Sequence, residues 1–259
     1  MELHTIAALL LSGLIGVSLG LLGGGGSILA VPVLVYVGGV EVKEAVAMSL
    51  AIVGATSLFA SVMHRQAGNL DLKVAAVFGG AGVFGAFFGA KLTHLVSSAA
   101  LLLMFALLML VVGTLMFTRS EREERVEESP VDKDNGKTWQ VLAAALSVGV
   151  LTGFLGVGGG FLIVPALVLF SKLPMKLAVG TSLLVIAINS AAGFLGHLGQ
   201  GDLNLRLTLA FTAVAIVGAL LGERVARRIA ASSLQRAFAV FVVITGIFLL
   251  VKNVGALSF

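Results

Sequence analysis

The sequence contains no cysteine among its 259 residues. This absence excludes disulfide bonds, thiolate metal sites, cysteine nucleophiles and thioether attachment of haem. The chain also has no GxxxxGKS, GxxxxGKT or HExxH sequence. The sequence therefore does not predict nucleotide hydrolysis by a P-loop, and so does not predict a primary pump. It does not predict zinc-dependent hydrolysis either. We expect neither an enzyme nor a bound cofactor.

Charged residues are also scarce. They make up 12% of the chain, whereas a soluble domain has about 25%. Hydrophobic residues make up 58%, and the mean hydropathy is +1.09. The apolar runs are continuous and about as long as a membrane-spanning helix. The sequence therefore predicts an all-α polytopic membrane protein, and its net charge of +4, from few charges, does not indicate nucleic-acid binding.

Eight hydrophobic segments and one charged stretch divide the chain. The segments are 5–37, 45–63, 72–90, 98–117, 139–170, 177–195, 205–222 and 234–251. Residues 118–137 hold 12 of the 30 charges and are the one candidate linker. The predicted organisation is a first transmembrane repeat at 1–117, the linker at 118–137 and a second transmembrane repeat at 138–259.

A glycine cluster interrupts the first segment of each half. One cluster is Gly23-Gly24-Gly25-Gly26-Ser27, and its twin is Gly156-Val157-Gly158-Gly159-Gly160; an apolar stretch and a proline follow each. Each glycine inside a helix costs about 1 kcal/mol relative to alanine, so a helix is expected to break at both clusters. Broken backbone at membrane depth is tolerated only against protein or an aqueous cavity. Paired breaks of this kind are typical of a transporter's binding site.

The two halves align without a gap when 133 is added to the residue number. Lys43 then matches Lys176, Ser49 matches Ser182 and His64 matches His197. Rare polar residues in register indicate an internal duplication. Each half is predicted to have three full transmembrane helices and a glycine-broken, re-entrant first segment.

The distribution of basic residues predicts the orientation of the repeats. If each broken segment turns back at its glycines, 13 Lys and Arg residues lie on one side and 4 on the other. The positive-inside rule makes the first side cytoplasmic. Each half then crosses an odd number of times. We therefore expect inverted repeats, a cytoplasmic linker and both termini outside.

The glycine clusters are candidate substrate-binding elements. A helix that resumes after each break would direct unpaired amides and about half a positive charge towards the membrane interior, which favours an anion. The alternative is close helix packing through small residues, which we expect at Gly85/Gly89 and Gly218/Gly222. The candidate binding residues at the breaks are Gly24, Gly25, Gly26, Ser27, Gly158, Gly159 and Gly160.

Polar residues recur in the second segment of each half. Spacings of seven and eight residues place them on one face of the helix. Hydroxyl and amide groups on that face are suited to bind an oxyanion. The alternative for each is a hydrogen bond to its own helix. Asn189 is the strongest candidate, because an unpaired amide is costly to bury. The candidates are Ser49, Thr56, Ser57, Thr181, Ser182, Asn189 and Ser190.

Histidine provides the candidates for a proton relay. His64 and His197 lie at matched segment ends, and an interfacial hydrogen bond to the adjacent turn is the alternative for each. Asp71, Asp202 and Glu223 lie at predicted segment ends. We therefore expect no carboxylate inside an apolar core.

The duplicated glycine motifs resemble the TauE/SafE sulfite-exporter family. The matching stretches are 23–32, followed by Ser49, and 156–165, followed by 180–182. The resemblance covers the chain apart from the linker. It implies a bacterial inner-membrane carrier for a small sulfur oxyanion or organic acid, with the glycine and Ser, Thr and Asn positions above as contacts.

Taken together, these features predict a secondary transporter that exports sulfite or a related organosulfonate by alternating access. Its expected partners are the anion, the lipid bilayer and protons as a candidate coupling ion. A passive anion channel and a carrier for a different small organic anion, a cation or a neutral solute are the alternatives. An intramembrane enzyme or assembly factor is disfavoured, because the apolar segments contain no matched nucleophile, base or metal set.

Overall fold

The computed structural model describes residues 3–92, 98–123, 137–155, 160–197 and 204–254. Ten α-helices lie within these ranges: α1 Leu3–Leu22, α2 Ser27–Pro32, α3 Val42–Gln66, α4 Leu72–Leu92, α5 Ser98–Glu123, α6 Lys137–Leu155, α7 Gly160–Leu169, α8 Met175–His197, α9 Leu205–Arg228 and α10 Ala231–Val254. A 3-10 turn at Gly24–Gly26 precedes α2, and a π-helical turn at Val33–Val37 follows it.

Several helices are long and apolar enough to cross a membrane. Within the described residues there are five such spans: Glu44–Gln66, Leu72–Gly89, Met175–Leu195, Leu205–Arg228 and Ala231–Val251. Their lengths of 18 to 24 residues match a hydrocarbon core about 30 Å thick. The prediction of an all-helical, multi-pass membrane protein is confirmed at this level.

Some helix ends differ from the predicted segments. The fourth segment was predicted to end at 117, but α5 continues to Glu123, inside the predicted linker. The seventh was predicted to end at 222, but α9 continues to Arg228. Hydropathy falls where charged residues begin, whereas backbone hydrogen bonding continues through them, so composition places helix ends too early.

The first glycine cluster reverses the chain. Gly23 has φ 74° and ψ −111°, a backbone conformation that residues other than glycine rarely adopt. Gly26 then lies against the backbone of Ile15 and Leu19 in α1. Further on, Leu34 belongs to the same buried cluster as Ala8, near the start of α1. The segment after the glycines therefore runs back along α1.

The longer helices pack in four pairs. The pairs are α1 with α9, α4 with α6, α3 with α8, and α5 with α10. Gly16 contacts Ala215 and Gly20 contacts Ala219, so α1 and α9 run in the same direction. By contrast, α3 and α8 are antiparallel, as are α5 and α10.

The bundle has two ends, which we name by what lies there. At the linker end, His64, Lys176, Arg227 and Leu234 line one small pocket, so α3 and α9 end where α8 and α10 begin. The Gln235 side chain donates to the Met116 carbonyl at 3.0 Å, which brings α5 to this end too. The far end is the buried cluster that contains Ala8, Leu34, Ala45, Met48, Ile52, Phe211 and Ala215.

Small residues bring the backbones of α1 and α9 into contact. A Cβ at Gly16 would overlap the Ala215 carbonyl, and one at Gly218 would overlap the Gly13 carbonyl. A Cβ at Gly222 would overlap the Val17 carbonyl in the same way. The expectation of close packing at Gly218 and Gly222 is confirmed. Between helices in lipid, van der Waals contact of this kind replaces the hydrophobic effect as the source of association.

Gly16→Ala should therefore destabilise the protein. The added methyl overlaps backbone atoms of α9, and overpacking of this kind costs about 1–3 kcal/mol. We expect the melting temperature of the purified protein in detergent to fall by several degrees. Gly13→Ala is the matched control, because its Cβ would lie 3.4 Å from Val214 Cγ1, an ordinary contact. Equal melting temperatures for the two variants would contradict this account of the α1–α9 interface.

Candidate functional site

The first glycine cluster meets the start of α7 inside the bundle. A Cβ at Gly24 would overlap the carbonyl oxygen of Gly160, so the two backbones are in direct contact. Gly160 is also the first residue of α7, and its own Cβ position lies 2.5 Å from Ser27 Oγ and 3.2 Å from Ile186 Cδ1. Ile186 lies halfway along α8, so the contact lies at mid-depth of that helix. Of the candidate binding residues, Gly24, Ser27 and Gly160 are thus brought together.

Helix starts from both halves lie at this contact. After the 3-10 turn at Gly24–Gly26, α2 begins at Ser27, whose amide donates to the Gly24 carbonyl, and α7 begins at Gly160. The first amides of a helix have no acceptor within it and bear the positive end of the helix dipole. α7 is ten residues long and its first nine are buried. The arrangement favours a negatively charged ligand over a cation at the breaks.

The remaining glycines of the first cluster have other neighbours. Gly25 is buried against Phe241 of α10, and Gly26 packs on α1. Gly23 lies beside Ser182 and Val164. Gly158 and Gly159 lie outside the described residues. Among the glycines of this cluster, Gly24 therefore makes the closest contact with the second half of the chain, and Gly25 and Gly26 flank that contact.

Several of the candidate hydroxyl groups are already hydrogen-bonded within the protein. Ser27, Ser49 and Ser182 each donate to the carbonyl three residues earlier, at 2.7–2.8 Å. Thr181 Oγ1 accepts from the Asp71 amide at 3.0 Å, which ties α8 to the turn after α3. These residues follow the alternative interpretation, in which a buried hydroxyl bonds backbone. The protons of the Ser27, Ser49 and Ser182 hydroxyls are therefore in use, whereas the Thr181 hydroxyl is in use as an acceptor.

Other candidate side chains are buried without a partner. Among the described residues, Thr56 Oγ1, Ser57 Oγ and Asn189 Oδ1 have no hydrogen-bond partner. Thr56 and Ser57 are completely buried in α3, and Asn189 packs against Gly82 of α4. A buried polar group without a partner costs about 1–3 kcal/mol. These three side chains are therefore the strongest candidates for polar contacts to a substrate.

Ser190 lies apart from the other candidates. It lines a cavity of about 460 Å³ between α3 and α8, whose other lining residues are apolar or glycine. Leu58 and Ile188 of this cavity are exposed on the surface of the bundle. The cavity is suited to lipid chains more than to an anion, so its lining gives no support to Ser190 as an anion ligand.

The two candidate histidines differ in what the structure describes. His64 is 3% exposed, and its Nε2 lies 3.5 Å from the carbonyl of Gly20, three residues before the break. His197 ends α8, and its side chain lies outside the described part of the structure. His64 is therefore a core residue linked to α1, not an interfacial residue.

Glu223 corrects the expectation that no carboxylate lies inside an apolar core. Its side chain is 1% exposed, within the span Leu205–Arg228. One carboxylate oxygen accepts from Arg227, and the other has no partner among the described residues. Both Glu223 and Arg227 lie close enough to His64 to interact with its ring electrostatically. The sequence signal was available: an acidic residue directly after an apolar segment, followed by arginine at i+4.

Residues 16–20 of α1 match a sequence motif of serine hydrolases. Gly16-Val17-Ser18-Leu19-Gly20 matches the GxSxG pattern of hydrolases. That pattern requires a sharp turn between a strand and a helix, whereas these residues lie inside α1. Ser18 Oγ has no hydrogen-bond partner, and hence no base, among the described residues. The match therefore does not indicate a nucleophile.

Comparison with known proteins identifies the class. The sequence profile described as "Sulfite exporter TauE/SafE" matches residues 8–249. A "Probable membrane transporter protein" of Xylella fastidiosa is 35% identical over 249 residues, 95% of this chain and 94% of the relative. The "Probable membrane transporter protein YdhB" of Bacillus subtilis is 27% identical over 212 residues, 82% of this chain and 86% of the relative. No solved structure matches the chain.

The fold and these relatives define a multi-pass membrane transporter. The chain belongs to the TauE/SafE sulfite-exporter family, as the resemblance of its glycine motifs predicted.

Ser57→Ala should leave stability unchanged or raise it slightly. Its hydroxyl has no partner to lose among the described residues, and removing it abolishes a desolvation cost. Thr181→Val is the matched comparison, since it removes the acceptor of the Asp71 amide and should cost about 0.5–1.5 kcal/mol. Thermal unfolding of both variants in detergent checks the contrast. An equal loss at Ser57 would mean that its hydroxyl has a structural partner and would remove it from the site.

Proposed function

We propose that this transporter is a secondary carrier that exports a small anion, sulfite or a related organosulfonate, by alternating access. The anion binds at mid-membrane, between the two glycine breaks. The observation that supports this most directly is the backbone contact between Gly24 and Gly160, where helix starts from both halves converge. The family description adds the substrate class.

The packing of the helices supports two inverted repeats. In the alignment of the halves, α1, α3, α4 and α5 correspond to α6, α8, α9 and α10. Exchanging the halves turns the pair α1–α9 into α6–α4 and leaves α3–α8 and α5–α10 unchanged. All four observed pairs are therefore preserved by a two-fold operation. Carriers with inverted repeats expose one site to either side by moving one repeat against the other.

The contact at the breaks has a consequence for transport. Because even a methyl group does not fit between Gly24 and Gly160, an anion does not fit there either. Binding requires the two breaks to separate, which exposes the first amides of α7. The contact between Gly24 and Gly160 also disfavours a passive channel, because a channel needs a continuous pore. Thr56, Ser57 and Asn189 supply polar groups from α3 and α8 once the anion has entered.

The charge distribution supports the orientation in the inner membrane. Lys176 Nζ donates to the carbonyl of Arg227 at 3.4 Å, so basic residues from α8 and α9 gather at the linker end. The exposed Arg65, in the last turn of α3, and the exposed Lys73, in the first turn of α4, lie at the same end. We infer that the linker end is cytoplasmic and that the termini lie outside.

Asn189→Ala should depress transport strongly. A hydrogen bond to a charged group contributes about 1.5–3 kcal/mol, so uptake of labelled sulfite into proteoliposomes should fall about ten- to a hundredfold at low substrate concentration. Ser61→Ala is the control, because its buried hydroxyl bonds only the Leu58 carbonyl of its own helix. Protein-free vesicles provide the baseline. Wild-type flux in a folded Asn189→Ala protein would exclude this side chain from the site.

Single cysteines test the orientation without background, since the natural chain has none. Lys73→Cys, at the linker end, should react with a membrane-impermeant maleimide only in inverted inner-membrane vesicles. Glu41→Cys, which precedes α3 at the far end, should react only from outside intact spheroplasts. The two positions are exposed, so labelling reports sidedness and not burial. Labelling of both positions from the same side would contradict a membrane-spanning α3, and labelling with the opposite sidedness would contradict the proposed orientation.

A further inference from the structure

The buried acid–base group at the linker end is not explained by anion binding. It comprises His64 of α3 with Glu223 and Arg227 of α9, and it joins α1 through the Gly20 carbonyl. An ionisable side chain inside a membrane is expensive and usually functional, and its partner is part of the function. Glu223 is almost fully buried, whereas the Arg227 side chain is 47% exposed.

Two residues of this group, Glu223 and His64, can each still form a hydrogen bond. Among the described residues, Glu223 Oε2 and His64 Nδ1 are buried and have no partner. A purely structural ion pair would be expected to satisfy these atoms, since each unsatisfied one costs free energy. A carboxylate oxygen and a neutral imidazole nitrogen are both able to accept a proton.

The route from the linker end of the bundle to this acid–base group is short. A pocket of about 10 Å³, close to the volume of one water probe, is lined by His64, Asn69, Lys176 and Arg227. It lies at the end of α3, where the chain turns towards α4. A proton from that side would reach the group without crossing the apolar core.

The group is also placed to act on the glycine break. Gly20, whose carbonyl contacts His64, lies three residues before Gly23, where the chain reverses. α9 packs along α1 up to this level through Gly20 and Ala219. A change in the charge of Glu223 therefore acts on the interface that holds the break in place.

The position breaks the internal duplication. The residue that matches Glu223 in the first half is Ala90. The acid is therefore present at the linker end only. A residue needed merely to hold the duplicated fold would be expected in both halves.

We propose that Glu223 and His64 form the proton-binding site that couples anion transport to a proton gradient. The proton binds at Glu223 Oε2 or His64 Nδ1; on Glu223 it neutralises the carboxylate and weakens its pairing with Arg227. Release of the proton restores the pair. This inference rests on the proposed carrier function.

The charged groups around the site define its electrostatics. On α9 they are Arg227 and the exposed Arg224, and on α3 the exposed Arg65. From α8, Lys176 reaches the Arg227 carbonyl. Asp71, in the turn after α3, accepts from the amides of Lys73 and Val74. The described side chains of α1 contain no charged group.

Glu223→Gln separates coupling from transport. Proteoliposomes are assayed in two ways: exchange of labelled for unlabelled sulfite at equal pH, and accumulation of sulfite driven by an imposed pH gradient. We expect the variant to keep exchange within about twofold of wild type and to lose at least tenfold in gradient-driven accumulation, since the amide mimics a permanently neutral acid. Glu41→Gln, an exposed carboxylate at the far end, should retain both.

The outcomes are distinguishable. Gradient-driven accumulation that survives in Glu223→Gln would overturn the proposal and would mean that the proton moves on sulfite itself or elsewhere. Loss of exchange as well would assign Glu223 a structural role and would also overturn it. If Glu223→Gln does not fold, His64→Gln is judged by the same two assays and criteria. Absence of exchange in the wild type would instead contradict the carrier function.

Discussion

The structure depends on one contact between backbones, that of Gly24 with Gly160. Because neither residue has a side chain, two broken helices from opposite halves meet without intervening atoms. The contact brings helix starts together at mid-depth, where lipid could not satisfy their amides. The chain reversal at Gly23, the return of 24–37 along α1 and the burial of α7 all converge on this point. An anion site built from amides needs no cationic side chain, which agrees with the absence of lysine and arginine at the breaks.

The candidate polar groups divide into two kinds. Ser27, Ser49, Thr181 and Ser182 are bonded to backbone and shape the local structure. Thr56, Ser57 and Asn189 are buried without partners among the described residues, a cost that a binding site can explain. The same reasoning distinguishes Glu223 and His64 from ordinary surface charges. Unsatisfied buried atoms, more than residue type, thus separate candidate functional groups from structural ones.

Much of the fold was predictable. The helical class followed from hydropathy, the break after α1 from glycine content, and the close packing at Gly218 and Gly222 from small residues four apart. Helix ends were less predictable, since α5 and α9 continue through charged residues beyond their apolar segments. The sequence predicted candidate site residues as residue types in matched positions. Which hydroxyls are free was not, because Thr181 is occupied by the amide of Asp71, 110 residues away in the chain.

By itself, the sequence determined the properties that depend on local composition: helices apolar enough to cross a membrane, the break after α1, and membership of a transporter family. The tertiary structure decided which of the matched residues meet. It joined Gly24 to Gly160, moved Ser190 to an apolar cavity on the bundle surface and brought Glu223 beside His64. The physical reason is that periodicity specifies the face on which a residue lies, whereas its neighbours depend on how the helices pair. Here the close approach of glycine backbones sets that pairing.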